Sequence, residues 1–243
     1  MADELFENPR LALIYDPFDP DRSDLEAYES MINEFGARSV LDIGCGTGTF
    51  ACRLAASGIE VVGLDPAEAS LKVAQTKPWS DRVTWIHGTV SNLPSLTVDL
   101  ATMTANVAQV FLTDEGWKET LLTVRAVLRP GGRLVFETRN PKAQAWLQWN
   151  RENTYKRIDI PNYGVVEGWV DVTSVQLPFV SFRFTYIFES DGTIITSDST
   201  LRFRSREEIA SSLREVGMSL DEVREAPDRP GREFVFIARR PTT

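Results

Sequence analysis

The run Val40-Leu41-Asp42-Ile43-Gly44-Cys45-Gly46-Thr47-Gly48 constrains this chain more than any other stretch. It reads as a buried strand that enters a glycine-rich turn and then a helix. Strand, tight turn and helix N-terminus together make a nucleotide-binding device. A dinucleotide fingerprint wants G-x-G-x-x-G. Here the glycines stand at 44, 46 and 48 and position 49 is Thr, so the third glycine falls one residue early. Asp42 lies inside the strand, two positions before the first glycine. Its carboxylate suits a ligand with a cationic end better than a pyrophosphate, which it would repel.

Further signals keep a recognisable order. Asp65 ends a second strand, Gly58 to Asp65. A third strand, Val83 to His87, leads into Gly88-Thr89-Val90-Ser91-Asn92-Leu93-Pro94, and a fourth runs from Val98 to Met103. Leu128-Arg129-Pro130-Gly131-Gly132 turns into a fifth. With D-x-G-x-G-x-G after a hydrophobic strand, this series resembles the class I S-adenosylmethionine-dependent methyltransferases over roughly residues 36 to 140, with a fainter echo in the last forty or so. The resemblance implies an α/β fold: a Rossmann-like seven-stranded mixed sheet, order 3-2-1-4-5-7-6, with helices on both faces. The string Phe136-Glu137-Thr138-Arg139-Asn140-Pro141 resembles uncharacterised bacterial members.

Composition sets limits. The 243 residues suit one or at most two domains, and 42% hydrophobic content supports a sizeable core. A formal charge of -9 and the lack of a Lys/Arg run argue against a nucleic-acid partner, which needs a basic surface. Cys45 and Cys52 form neither a metal pattern nor a disulfide framework. Met1 to Glu7 is acidic and lacks the apolar segment of a signal peptide. No stretch reaches the 18 or so apolar residues of a membrane span. The expectation is a cytoplasmic protein with no metal and no membrane partner; nothing in the sequence fixes an oligomeric state.

Along the chain, residues 1 to 22 carry three prolines and are expected not to form a regular helix. Ser23-Asp24-Leu25-Glu26 reads as a capping box opening a helix to Gly36. Strands and helices then alternate to about residue 138, which means a parallel sheet with right-handed crossovers. Thr47 and Thr113 are the expected starts of the helices after strand one and before strand five. From 145 to 203 the pattern becomes β-rich, with alternation such as Phe182-Arg183-Phe184-Thr185-Tyr186-Ile187-Phe188 and a hairpin signal at Asp191-Gly192. This is expected to be an antiparallel β insert, a lid before the last helix and within one domain spanning 1–243. Ser205-Arg206-Glu207-Glu208 is a second capping box. Ser219 to Arg224 and Glu233 to Arg239 close as a hairpin.

The resemblance assigns the site. Gly44, Cys45 and Gly46 would lie against S-adenosylmethionine, the glycines because a Cβ there would clash with it. Asp42 would hold the methionine ammonium. Asp65 would accept both ribose hydroxyls with its two oxygens, Pro66 would lie against the adenine, and Thr89 and Val90 would take the adenine edge. Many relatives carry Asp at the position of Thr89, and a hydroxyl is the weaker acceptor. Methyl transfer is an in-line displacement for which positioning is worth roughly 7–11 kcal/mol and a base only about 10²–10⁴-fold, so the absence of an evident base does not exclude catalysis. Asn106 and Gln109, after strand four, are candidates for orienting an acceptor, and Asn106 would also contact the cofactor. Tyr15 would close over the methyl donor, and Arg139 would grip an anionic substrate. Plain structural readings stand beside these: a cap for Asp42, a turn residue for Asp65 or Thr89, packing for Tyr15, an exposed strand end for Arg139, and an edge or core role for His87. Trp146, Trp149 and Trp169 read as packing for the insert, with a binding cage as the alternative.

Neither an Asn/Asp-Pro-Pro-aromatic tetrapeptide nor a Pro-Cys nucleophile is present, which sets aside the usual nucleic-acid enzymes of the family. The resemblance therefore implies methyl transfer to oxygen or nitrogen of a small molecule. Two alternatives remain at this point: a non-catalytic S-adenosylmethionine-binding regulatory protein, and an NAD(P)-dependent oxidoreductase.

Overall fold

A computed structural model describes residues 2–242. Met1 and Thr243, and with them the two ends of the expected 1–243 span, lie outside the described residues. The elements follow in chain order: α1 Glu4–Glu7, α2 Pro9–Phe18, α3 Asp24–Glu34, β1 Ser39–Ile43, α4 Thr49–Ala56, β2 Glu60–Asp65, α5 Glu68–Ala74, β3 Val83–His87, β4 Val98–Met103, α6 Asp114–Val127 and β5 Leu128–Arg139. Then come α7 Arg151–Thr154, β6 Lys156–Ile160, β7 Gly164–Gln176, β8 Phe179–Phe188, β9 Thr193–Arg202, α8 Arg206–Glu215, β10 Ser219–Glu225 and β11 Glu233–Arg239.

Seven strands form one sheet in the order β3-β2-β1-β4-β5-β11-β10. β1 to β5 run parallel, while β11 is antiparallel to β5 and β10 to β11. Counting the last two strands as sixth and seventh reproduces 3-2-1-4-5-7-6. Both faces are covered, as parallel strands require. Leu41, Ile43, Met103 and Phe136 pack against Trp117 and Leu121 of α6 and Leu213 of α8. Val40, Val61, Leu100 and Val135 pack on the opposite face against Leu25 and Ile32 of α3 and Phe50 and Leu54 of α4. The β-rich segment is a second sheet, β6-β7-β8-β9, antiparallel throughout. It lies between β5 and α8, inside residues 145–203.

The N-terminal arm corrects one expectation. Prolines do not keep it from being helical. Pro9 takes the first helical position, where its missing N–H costs nothing, and Asn8 caps the helix by accepting from Arg10 N at 2.9 Å. Pro17 arrives only in the last turn. Leu5, Leu11, Ile14 and Phe18 bury themselves with Ile160, Val166, Tyr186 and Phe188 of the second sheet, and that burial holds α1 and α2 in place. Two caps also differ. Ser23 has helical backbone angles and makes no side-chain cap; its N–H donates instead to Asp21 Oδ1 at 3.0 Å. Thr47 does not start α4, whose cap is Gly48 at φ 75°. Thr113 and Ser205 do cap their helices, Ser205 in a complete capping box. No helix among the described residues is long and apolar enough to cross a membrane.

Candidate active site

The turn after β1 separates its glycines by purpose. All three have left-handed backbones, at φ 70°, 53° and 75°. A Cβ on Gly44 would fall 2.5 Å from Val107 Cγ2, and one on Gly48 would fall 2.6 Å from Ala74 Cβ and from the Trp85 ring. A Cβ on Gly46 would meet nothing within 4 Å. Gly44 is therefore needed for packing against the loop after β4, whether or not a ligand lies against its backbone. Gly46 is the position that opens on free space. Gly44 N and Cys45 N both donate to Leu64 O, at 2.8 and 3.2 Å. The Cys45 side chain is buried, and burial pushes its thiol up well above the ordinary range.

Two carboxylates face this turn from the strand ends. Asp42 is 1% exposed. Its Oδ1 accepts from Thr102 Oγ1 at 2.9 Å, whereas Oδ2 is buried with no partner among the described residues. Burial pushes the group up to about 7; the Thr102 hydrogen bond opposes the shift and the nearby Asp65 charge adds to it. Asp65 is held more firmly, by Ala67 N on Oδ1 and Gly46 N on Oδ2, each at 2.8 Å. Burial raises it too, against those two hydrogen bonds. Each Asp65 oxygen keeps a second lone pair for a ligand. Pro66 is exposed beside it, and its carbonyl lies 3.1 Å from His87 Nε2 on the edge strand β3. Across the opening, Thr89 is exposed and caps a short turn at Val90–Asn92. Its N–H donates to Asn92 Oδ1 at 2.8 Å and its hydroxyl pairs with Ser91 Oγ at 2.8 Å. Val90 is buried in the core.

The other side of the crevice is the loop after β4. Ala105 and Asn106 are consecutive non-glycine residues at φ 52° and 62°, a conformation that costs roughly 1–2 kcal/mol per residue. Two buried carboxylates hold it. Glu137 Oε1 accepts from Asn106 N at 3.2 Å, and Glu233 Oε1 accepts from Asn106 Nδ2 at 3.1 Å. The Tyr28 hydroxyl donates to Glu137 Oε2. Burial, then the Glu233 charge, pushes Glu137 up to about 7. Asn106 Oδ1 stays buried without a partner among the described residues. Gln109 Oε1 accepts from both Arg139 N (3.3 Å) and Arg139 Nη1 (3.1 Å). Arg139 Nε lies 3.8 Å from Glu233 Oε1, and its guanidinium sits 5.3 Å over the Trp149 ring.

Of the residues singled out in the sequence, Asn106, Gln109 and Arg139 thus form one polar cluster. Tyr15, on α2, feels the charges of Arg22 and Arg139, while burial raises its hydroxyl above the ordinary range. The helix carrying it is pinned to the turn: Asp16 accepts from Thr47 Oγ1 at 2.7 Å and pairs with Lys77. Asp16, Arg22, Tyr28, Glu137 and Glu233 were missed by sequence reasoning. A charge inside an apolar run, the signal that picked out Asp42, is also present in Leu134-Val135-Phe136-Glu137 and at the head of Glu233-Phe234-Val235-Phe236. Tyr28 and the arm residues carry no such mark. Trp146 and Trp149 pack with Val180 and Phe203, as expected of insert packing; Trp169 instead meets Tyr155 and Arg151.

Residues 40–132 match a family model described as a methyltransferase domain. An uncharacterized methyltransferase of Oceanobacillus iheyensis is 31% identical over 114 residues, 46% of this chain and 53% of that protein. The chain spans about half the length of the curated relatives it matches most strongly. Among solved structures, an S-adenosylmethionine-dependent methyltransferase of Clostridium acetobutylicum superposes with a TM-score of 0.76 at 16% identity, covering 96% of this chain and 98% of that one. The sugar N-methyltransferase KedS8 of a Streptoalloteichus species gives 0.76 at 17% identity, with 93% and 92% covered. At such identities these matches speak for the fold.

Proposed function

We propose that this chain, whose residues 40–132 match a methyltransferase-domain model, is a class I S-adenosylmethionine-dependent methyltransferase that binds S-adenosylmethionine and methylates oxygen or nitrogen of a small molecule. The observation that carries this reading is the pairing of a partnerless buried carboxylate oxygen, Asp42 Oδ2, with the open space over Gly46. A buried acceptor without a donor is costly, and a ligand ammonium would complete it. The residues present therefore fit the cofactor. Asp42 would hold its ammonium, Asp65 its ribose hydroxyls, and Gly46 would admit its close approach. Pro66, Thr89 and Val90 would border the adenine, and Arg22, paired with Asp24 at 3.2 Å and near enough for its charge to act on Tyr15 and Asp42, would face the methionine carboxylate.

When bound, S-adenosylmethionine supplies a methyl carbon already activated on a sulfonium, so displacement leaves the electron pair on sulfur and releases a proton from the acceptor. What remains for the protein is alignment and exclusion of water. Tyr15 and the rest of α2 cover the crevice from above. Asn106, Gln109 and Arg139 border the acceptor side, with the loop fixed by Glu137 and Glu233. The second sheet serves as lid to that side, and a cytoplasmic setting belongs to the same reading. The fold likeness to a sugar N-methyltransferase and the net charge of -9 both favour a small acceptor over a nucleic acid.

Ligand-induced stabilisation tests the reading. S-adenosylhomocysteine at about 100 times its Kd should add roughly 2.7 kcal/mol, a rise of about 5–10 °C for a chain of this size. Asp65→Ala should abolish the rise. A rise with NAD or NADP in its place would assign the crevice to an oxidoreductase. Label passing from methyl-labelled donor into a metabolite extract distinguishes an enzyme from a binder; a blank across broad extracts would leave a regulatory binding protein.

A further inference from the structure

On β8 every second residue turns to the same face of its sheet. Phe182, Phe184, Tyr186 and Phe188 share that face, which packs toward α2. The ring centroids form a chain: Trp149 to Phe182 at 4.9 Å, Phe182 to Phe184 at 5.6 Å, Phe184 to Tyr186 at 6.2 Å and Tyr186 to Phe18 at 5.2 Å. The Arg139 guanidinium sits over Trp149 at one end. Tyr15 packs against the same cluster at the other. A continuous aromatic wall therefore runs from the carboxyl end of β5 to the arm.

An aromatic stripe at strand spacing is ordinarily core. Two features set this one apart. Trp149, Phe184 and Tyr15 stay half-buried, Phe184 although it stands between the buried rings of Phe182 and Tyr186. In addition, a guanidinium ends the wall, and 24% of its side chain is exposed. Gln109 occupies one of its edges, and the Glu233 carboxylate stands off at 3.8 Å. The acidic groups nearby are buried and already engaged: Glu137 is taken up by Tyr28 and Asn106 N, and Glu233 by Asn106 Nδ2, by Arg229 at 3.3 Å and by Arg139 itself at 3.8 Å. Phe184 and Tyr186 lie nearly parallel, at 19°, while Trp149 and Phe182 stand edge-on to their neighbours at 66° and 86°; a flat ring would find both ring faces and ring edges to pack on, and a carboxylate would find a planar, pre-positioned donor.

We propose that the methyl acceptor is a small planar aromatic compound bearing an anionic group, its ring against Trp149 and Phe184 and its anion on Arg139. This rests on the methyl-transfer reading. The first step of the test is therefore binding of S-adenosylhomocysteine; if that fails, the reading of function falls before the acceptor is in question. With S-adenosylhomocysteine bound, calorimetry compares 2-hydroxybenzoate and 2-aminobenzoate with cyclohexanecarboxylate (anionic, not planar), phenol (planar, uncharged) and glucosamine (cationic, polyhydroxylated). Either benzoate should bind with a Kd of about 1 mM or tighter and at least about tenfold better than the three controls. Arg139→Gln should weaken it by about tenfold or more, as loss of a charge-assisted hydrogen bond does, with partial recovery in Arg139→Lys. Phe184→Leu should weaken it without touching a charge and stands in if the Arg139 variants fail to fold. Tighter binding of glucosamine, equal binding of cyclohexanecarboxylate, or no benzoate binding overturns the proposal.

Discussion

Asp42 and Glu137 are both pushed up to about 7, chiefly by burial. They share the sheet face of Val40 and Val135, two positions further along β1 and β5. The sign of their effect on stability follows. A carboxyl group raised from its unfolded value near 4 gives stability that is complete below about pH 4 and lost as pH rises to about 7, after which the loss is constant. Denaturant unfolding of the ligand-free protein should therefore show stability falling between about pH 4 and 7, with Asp42 contributing of order 2–4 kcal/mol. Asp42→Asn, which keeps an oxygen for the Thr102 hydroxyl, should flatten its share and leave that of Glu137. A profile identical to the parent's would disprove the assignment to Asp42. Ligand binding should run the other way. An ammonium needs Asp42 ionised, so S-adenosylhomocysteine should bind more tightly as pH rises through about 7, with proton release, and Asp42→Asn should remove that dependence. Calorimetry in buffers of different ionisation enthalpy reads the proton directly.

At the scale of elements, the turn after β1 makes the sharpest distinction. Gly44→Ala would set a Cβ against Val107 in a left-handed backbone, and should cost about 2–5 kcal/mol from strain and overpacking together. Gly46→Ala carries only the backbone strain, about 1–2 kcal/mol, yet should weaken S-adenosylhomocysteine at least about tenfold. Urea melts and binding isotherms on the two variants separate these effects; equal affinity loss without destabilisation in Gly44→Ala would place the ligand at Gly44 after all. The sequence does not distinguish the two glycines, because Val107 lies 63 positions away and its approach belongs to the tertiary fold. Helix starts divide the same way. Thr113 and Ser205 cap as their local pattern says, and each to Ala should cost about 1 kcal/mol. Ser23 has the same pattern and no cap bond, because its own backbone is helical (φ -65°, ψ -22°) and an N-cap needs extended angles, so Ser23→Ala should be near neutral. The strands and turns of the parallel sheet were legible because hydrophobic runs and Pro-Gly punctuation are local signals. The network of Tyr28, Glu137 and Glu233 was not, because three distant segments meet only in the folded chain.

Across the whole molecule, α1 and α2 join the two sheets, a link that no local sequence signal marks. Their apolar face belongs to the second sheet through Leu11, Ile14 and Phe18. Their polar side belongs to the first sheet, with Asp16 on Thr47 and Lys77, Glu7 on Glu68 N and Phe6 O on Ser70. The apolar side is the stronger attachment, since three side chains of α2 are buried there, whereas the Asp16 and Lys77 side chains remain 31% and 20% exposed and such pairs contribute little. Opening of the crevice should therefore happen at the polar seam, with the arm and the second sheet moving together away from the turn. Hydrogen exchange on Asp16→Ala checks this. Without ligand, amides of residues 4–18 and of 156–202 should exchange faster together, while those of β1, β4 and β5 keep the parent's protection. S-adenosylhomocysteine should restore protection in both segments at once if α2 and the second sheet close over it as one unit. Faster exchange confined to α2, with 156–202 unchanged, would mean that the apolar seam parts first and that the second sheet is not carried by the arm.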